Sequence, residues 1–303
     1  MRTAVLLVTI TALILAACQA ASPPPQDAKK TIVVTYSILG ALVKDLVSTD
    51  ANVIVLVPNG QDPHEWEPSA RDIETLNKAD LVVQNGLGLE GGLQKTLTLA
   101  MQQGVKSFSA SDHITIRKVG QGEGIPSGGT DQTVGASDPH LWADPLSMKQ
   151  VVVALADSLK TDLGLDETTR AQQLESQLDG LNSEIMSTVG SLADTQRKLV
   201  TGHDSLGYFA DRYGFKLVGA IIPSLTSQAE VSAADLAALK TLIESNQVKA
   251  IFTELGTPPA IAQAIGQETG VKVVQLTTHI LPADGSYFTF MRDLAQTIVD
   301  NLK

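Results

Sequence analysis

Two periodicities alternate along the chain from Thr31 onward. Short runs of β-branched and apolar residues, Thr31 to Thr35, Val53 to Val57, Leu81 to Val83 and Val105 to Phe108, read as buried strands. Between them, Ile38 to Val47, Ser69 to Lys78 and Leu93 to Gln103 carry helical spacing, with Ser69 as a helix N-cap. Continuous apolar strands separated by helices predict a parallel sheet covered on both faces. A second series repeats the scheme, with strands at Lys198 to Thr201, Leu217 to Ile221, Ala250 to Thr253 and Val271 to Leu276. Its helices are Ser205 to Tyr213, Ala233 to Glu244, Pro259 to Glu268 and Tyr287 to Leu302. Between the series, Leu174, Leu178, Leu181, Ile185 and Val189 fall three and four apart with no proline among them. That spacing predicts one helix over Glu167 to Leu192, about 40 Å long if straight, weakened locally by Gly180 and Gly190. The expected fold class is α/β, with two lobes, each a mostly parallel sheet with flanking helices. The lobes cover 31–165 and 195–303, joined by one long backbone helix over 166–194.

The first residues stand apart from this pattern. Met1-Arg2 precedes an apolar stretch from Ala4 to Leu15, then Leu15-Ala16-Ala17-Cys18. This resembles a bacterial lipoprotein signal peptide over 1–17, with Cys18 as the lipidated residue. The run is shorter than the roughly 20 residues a spanning helix needs. Residues 18–30, with Pro23-Pro24-Pro25, read as the lipidated cysteine and a tether. The expectation is an extracytoplasmic monomer, lipid-anchored to the bacterial membrane through Cys18. As the only cysteine, Cys18 leaves no partner for an internal disulfide or a thiolate metal cluster. A net charge of −11 disfavours nucleic acid and favours cations.

Candidate chemistry lies in the five histidines. Three sit in ligand-like loops, Asp62-Pro63-His64-Glu65-Trp66, Asp138-Pro139-His140-Leu141-Trp142 and Thr201-Gly202-His203-Asp204. His64 and His203 follow predicted strands, at the strand ends where α/β sheets bind ligands. The loop from Thr277 to Ser286 follows the last strand similarly and holds His279 and Asp284, so a fourth ligand is imidazole or carboxylate. Glu254, at a further strand end, is either an acid that orients a histidine or a solvent-exposed loop residue. Three imidazoles with at most one carboxylate favour Zn2+ over Mn2+. A fourth protein ligand would take the position a catalytic zinc keeps for water. The loop from Gly120 to Gly135, rich in glycine, serine and threonine, adjoins the His140 motif.

Two motifs compete. Gly86-Leu87-Gly88-Leu89-Glu90-Gly91 matches a dinucleotide fingerprint, but it does not follow the first strand of its lobe, and Glu90 would face the pyrophosphate. His203-Asp204-Ser205 has the residue types of a hydrolase triad, but adjacent residues do not converge as a triad does; Asp204 or Ser205 reads better as an N-cap.

Taken together, these stretches resemble the metal-binding lipoproteins that serve ABC importers of zinc and manganese, a group that includes zinc-uptake solute-binding proteins and streptococcal adhesin-type lipoproteins. The resemblance rests on Val57 to Pro68, Ala79 to Glu90, Asp138 to Pro145 and His203 to Ala210, and covers Thr31 to Lys303. It implies one buried metal between two lobes, ligated by His64, His140 and His203. The fourth family ligand is often an aspartate before a Ser-Tyr pair, which maps to Asp284, with His279 as the alternative. Two departures stand out: Gly285 is inserted in that motif, and the Gly120 to Gly135 loop has no histidine. The function implied is capture of Zn2+ and its delivery to an ABC permease and its ATPase, without covalent chemistry. The alternatives are a Mn2+-preferring member or adhesin and, in another class, a lipid-anchored zinc hydrolase.

Overall fold

The computed structural model describes residues 29–121, 123 and 134–303. The 1–17 leader, Cys18, most of the tether and the greater part of the Gly120 to Gly135 loop lie outside them. Strands β1 (Thr31–Tyr36), β2 (Asn52–Val57), β3 (Leu81–Gln84) and β4 (Ser107–Ser109) form a parallel sheet in the order β2-β1-β3-β4. Strands β5 (Lys198–Thr201), β6 (Lys216–Ala220), β7 (Ala250–Thr253) and β8 (Lys272–Gln275) form a second, also parallel, in the order β6-β5-β7-β8. The two sheets share one topology, so the expected two-lobed α/β architecture is present.

Helices α1 (Ser37–Val47), α2 (Ala70–Asn77) and α3 (Gln94–Gln102) belong to the first series, and α6 (Gly207–Tyr213), α7 (Ala233–Asn246), α8 (Pro259–Thr269) and α9 (Tyr287–Leu302) to the second. Ser69 caps α2 as expected, exchanging bonds with Asp72 in a capping box. Helix α4 (Pro145–Ser158) is an addition to the pattern: Asp144 accepts from the Leu146 and Ser147 amides, and proline occupies the first turn. The long helix, α5, spans Thr168–Val189, shorter at both ends than expected, and Leu174, Leu178, Leu181, Ile185 and Val189 are all buried on one face. The expected N-cap of α6 is not realised: α6 starts after Leu206, and the Ser205 hydroxyl turns inward to Glu254 instead.

The larger apolar cluster runs from β1 and α1 through α4 and α5 to α9, and a smaller one fills the space between α7, α8 and the second sheet. Although α9 follows the second sheet in sequence, it packs along α5 and touches α1. No helix among the described residues is long and apolar enough to cross a membrane.

Leu178 on α5 is fully buried and Met186 is 55% exposed. Leu178→Ala is expected to cost about 2–5 kcal/mol and Met186→Ala to change stability by about 0.5 kcal/mol or less. Urea midpoints of the two variants check this; equal midpoints would contradict the burial of the α5 face.

Candidate metal centre

In each sheet the chain order reverses between the two middle strands, and open α/β sheets bind ligands at the carboxyl ends of strands around such a switch. Loops leaving β2, β5 and β8 carry His64, His203 and His279, and His140 precedes the 3-10 turn Leu141–Ala143 that leads into α4. All four imidazoles are buried, and one ring nitrogen from each lies within 4.8 Å of the others. His140 Nε2 stands 3.3 Å from His64 Nε2 and 3.1 Å from His203 Nε2. A tetrahedral zinc with bonds of about 2.0–2.1 Å has ligand edges of about 3.3 Å.

The two Asp-Pro-His motifs use the same local device. Asp62 Oδ1 accepts the His64 N–H at 2.9 Å, and Asp138 Oδ1 accepts the His140 N–H at 2.9 Å, so each aspartate folds its own loop around the histidine two residues on. The tryptophan of the second motif is an anchor. Trp142 donates its indole N–H to the Thr278 carbonyl at 2.9 Å, and the Tyr287 hydroxyl donates to the Trp142 carbonyl at 2.8 Å. The His140 turn is thereby fastened to the His279 loop. Asn59 fastens that loop to the His64 side as well, donating to the Leu281 carbonyl at 2.9 Å and accepting the Leu281 N–H at 2.8 Å.

Hydrogen-bond partners assign the tautomers. His140 Nδ1 lies 2.8 Å from Asp138 Oδ1, a pure acceptor when ionised, so Nδ1 carries the proton and Nε2 the lone pair. The Thr278 hydroxyl donates to Glu254, so at 2.8 Å it accepts from His279 Nδ1–H, leaving Nε2 as a buried lone pair with no hydrogen-bond partner. His203 Nδ1 is 2.8 Å from Glu254 Oε1, an ion-pair distance without good hydrogen-bond geometry, and the His203 backbone N–H donates to the same oxygen at 2.9 Å. One carboxylate thus orients both histidines of the second lobe, and the Ser205 hydroxyl donates to it at 2.7 Å. Gly202 makes room: a Cβ there would lie 2.9 Å from Glu254 Cγ and 2.0 Å from Thr257 Oγ1.

Burial, reinforced by the neighbouring imidazoles, lowers the pKa of His64 well below its usual range, and with His203 it brings His279 down to about 4. Burial also lowers His140, against the pull of Asp138. Burial works downward on His203 too, but Glu254 outweighs it and the net shift is upward. For Glu254 itself burial works upward, yet His203 and His279 hold it far below the carboxylate range. Histidines supply the only ion pairs of Glu254 among the described residues.

The sequence-level preference for Asp284 as the fourth group is corrected here. Asp284 is exposed; its carboxylate accepts the Ser286 N–H at 3.0 Å and the Thr289 hydroxyl at 2.7 Å, securing the start of α9. The fourth member of the cluster is His279. Glu254 is buried rather than a solvent-exposed loop acid. The fifth histidine, His113, is exposed and stacks on Phe108, away from the cluster. The glycine-rich run folds around its own acid: Glu90 Oε1 accepts the Asn85 N–H at 2.6 Å and the Thr35 hydroxyl at 2.8 Å. Gly91 and Gly92 admit the His64 and Trp66 carbonyls, which a Cβ would meet at 2.7 and 2.3 Å. Thr278 and Asp138 were not singled out in the sequence. The aspartate two residues before the histidine in both motifs is the signal that marks Asp138; Thr278 offers only its adjacency to His279.

The family model described as zinc-uptake complex component A, periplasmic, matches residues 32–301. The zinc-binding lipoprotein AdcA of Streptococcus pneumoniae strain R6 is 30% identical over 269 residues, 88% of this chain and 53% of that protein, so the chain spans about half of that relative's length. The zinc-binding protein TroA of Treponema pallidum is 30% identical over 274 residues, 87% of this chain and 80% of TroA. The manganese-binding lipoprotein MntA of Halalkalibacterium halodurans is 26% identical over 279 residues, 89% of this chain and 88% of MntA. The solved structure of the Treponema pallidum periplasmic zinc-binding protein TroA superposes with a TM-score of 0.76 at 26% identity, covering 91% of this chain and 99% of that one.

If Glu254 orients two ligands, Glu254→Gln is expected to weaken zinc binding by roughly 10–100-fold while Asp284→Asn leaves it unchanged. Competition against a chromogenic zinc chelator measures both; the reverse ranking would return Asp284 to the site.

Proposed function

The chain belongs to the periplasmic zinc-uptake component A family, and from that premise we propose that it is an extracytoplasmic solute-binding protein that captures Zn2+ between its lobes. It delivers the ion to the permease and ATPase of an ABC importer and is held at the membrane through lipidated Cys18. His64, His140, His203 and His279 are the ligands, and Glu254 and Asp138 orient them. The convergence of four buried imidazoles carries this reading. Nε2 of His140 and of His279 carries a lone pair, and a cation placed among the four rings would take a lone pair from each. Glu254 supports it through geometry, since this one buried carboxylate faces the Nδ1 side of both His203 and His279 and so sets how both rings are presented.

Donor chemistry supports zinc as cargo. Imidazole suits zinc, whereas manganese sites lean on carboxylate and water, and none of the four clustered side chains is a carboxylate. The fourth imidazole also takes the position that a hydrolytic zinc reserves for water, which favours carriage over catalysis. Two ligands come from each lobe, so the ion leaves when the lobes or their loops part.

The expected stoichiometry is one Zn2+ per chain. His64→Ala and His203→Ala, one from each lobe, are each expected to weaken binding on the order of 100-fold, a quarter share of a typical four-ligand zinc site. Isothermal titration with a competing chelator reads this out, and unchanged affinity in both variants would sink the proposal.

A further inference from the structure

Helix α6 follows His203 closely, and three of its side chains reach across to the segments on either side of His140. Arg212 grips Asp144 with both nitrogens, Nε to Oδ1 at 2.8 Å and Nη2 to Oδ2 at 2.7 Å. In the opposite sense, Arg117 of the first lobe reaches Asp211 of α6, Nε to Oδ2 at 2.9 Å, while its backbone N–H donates to the Tyr208 hydroxyl at 2.9 Å. The same guanidinium holds Asp138 Oδ2 at 3.3 Å and Glu123 Oε2 at 2.6 Å. Asp138 and Asp144 bracket His140, so each arginine ties one flank of that loop to the helix behind His203.

We propose that these crossed arginine bridges form an interlobe clasp that sets how long the metal is retained, an inference that rests on the metal-capture reading. Parting His140 from His203 requires both bridges to break or stretch. The fit is close: a Cβ at Gly207, the first residue of α6, would lie 2.2 Å from Asp138 Oδ2 and 2.5 Å from Arg117 Nη1. The bridges also border a cavity of about 380 Å³ lined by Arg117, Asp144, Tyr208, Asp211 and Arg212. Water in that cavity can take over the charged groups as they separate, so the clasp opens without uncovering apolar core. Its two halves are unequal. Asp211 is 62% exposed and its bridge is weak, whereas Asp144 is 4% exposed and is gripped bidentately. Arg117 and Arg212 are therefore positioning residues, acting on His140 through the acids beside it.

The test is the rate at which the zinc-loaded full chain surrenders Zn2+ to a fast chelator in stopped flow, alongside the thermal midpoint of the metal-free protein. Asp211→Asn is expected to release zinc roughly two- to fivefold faster with an unchanged midpoint, and Asp211→Glu to restore the rate. Arg212→Lys, which keeps the charge and loses the fork, is expected to release faster still, by up to about tenfold. Asp179→Asn, which removes an exposed bridge to Lys149 on α4, serves as the control with no change. Release at the unaltered rate in both clasp variants overturns the clasp, as does acceleration confined to variants whose metal-free midpoint falls. Failure of the unaltered chain to bind zinc would instead overturn the capture reading, and the clasp with it.

Discussion

One ring nitrogen from each of four buried imidazoles lies within 4.8 Å of the others, and much of the surrounding architecture can be understood as what keeps them there. A neutral histidine in such a place tends to flip its proton inward and hydrogen-bond its neighbour. Asp138 and the Glu254–Thr278 pair prevent this by fixing the protons of His140 and His279 on the outward nitrogen. The pocket is consequently pre-organised for a cation at the expense of its metal-free form, so metal affinity and metal-free stability are set by the same contacts.

That tension explains why the supporting shell is built from unusually direct contacts. Glycines stand where the chain must press against the site, Gly91 and Gly92 beneath the His64 loop and Gly202 beside Glu254. Trp142 and Tyr287 then bolt the His140 turn to the His279 loop and to α9. None of these residues touches the proposed ion, yet a loop allowed to relax by an ångström would let the imidazoles turn away from one another and dissipate the site.

The fold was largely legible because continuous apolar strands and a three-and-four leucine stripe are local signals. Leu174 to Val189 announce the buried face of α5 without any knowledge of what covers it. The histidine loops were legible for a similar reason, since Asp-Pro-His carries its own turn chemistry. The fourth group was not. Asp284 sits in a ligand-like motif, but with Gly285 in the left-handed region beside it, its carboxylate is committed to the amide and hydroxyl at the start of α9. The choice between Asp284 and His279 depends on where a loop points, which no short-range pattern encodes. The arginine bridges were invisible for a plainer reason: Arg117 and Asp211 are 94 residues apart, and Arg212 and Asp144 are 68 apart, so nothing in either neighbourhood betrays the other.

Helix α9 joins the last residues of the chain to α5 and α1, and this has a consequence for how the molecule is made. The first lobe has its strands in place early, but the apolar faces of α1 and α5 stay partly uncovered until residues 287–302 have been synthesised. Contacts of such sequence separation form late and slowly. In the folded chain those faces are covered only with α9 in place, so the burial of the first lobe's flank depends on a segment that comes after the second sheet. The two lobes have separate sheets, but the last helix places its apolar face in a cluster that draws on both.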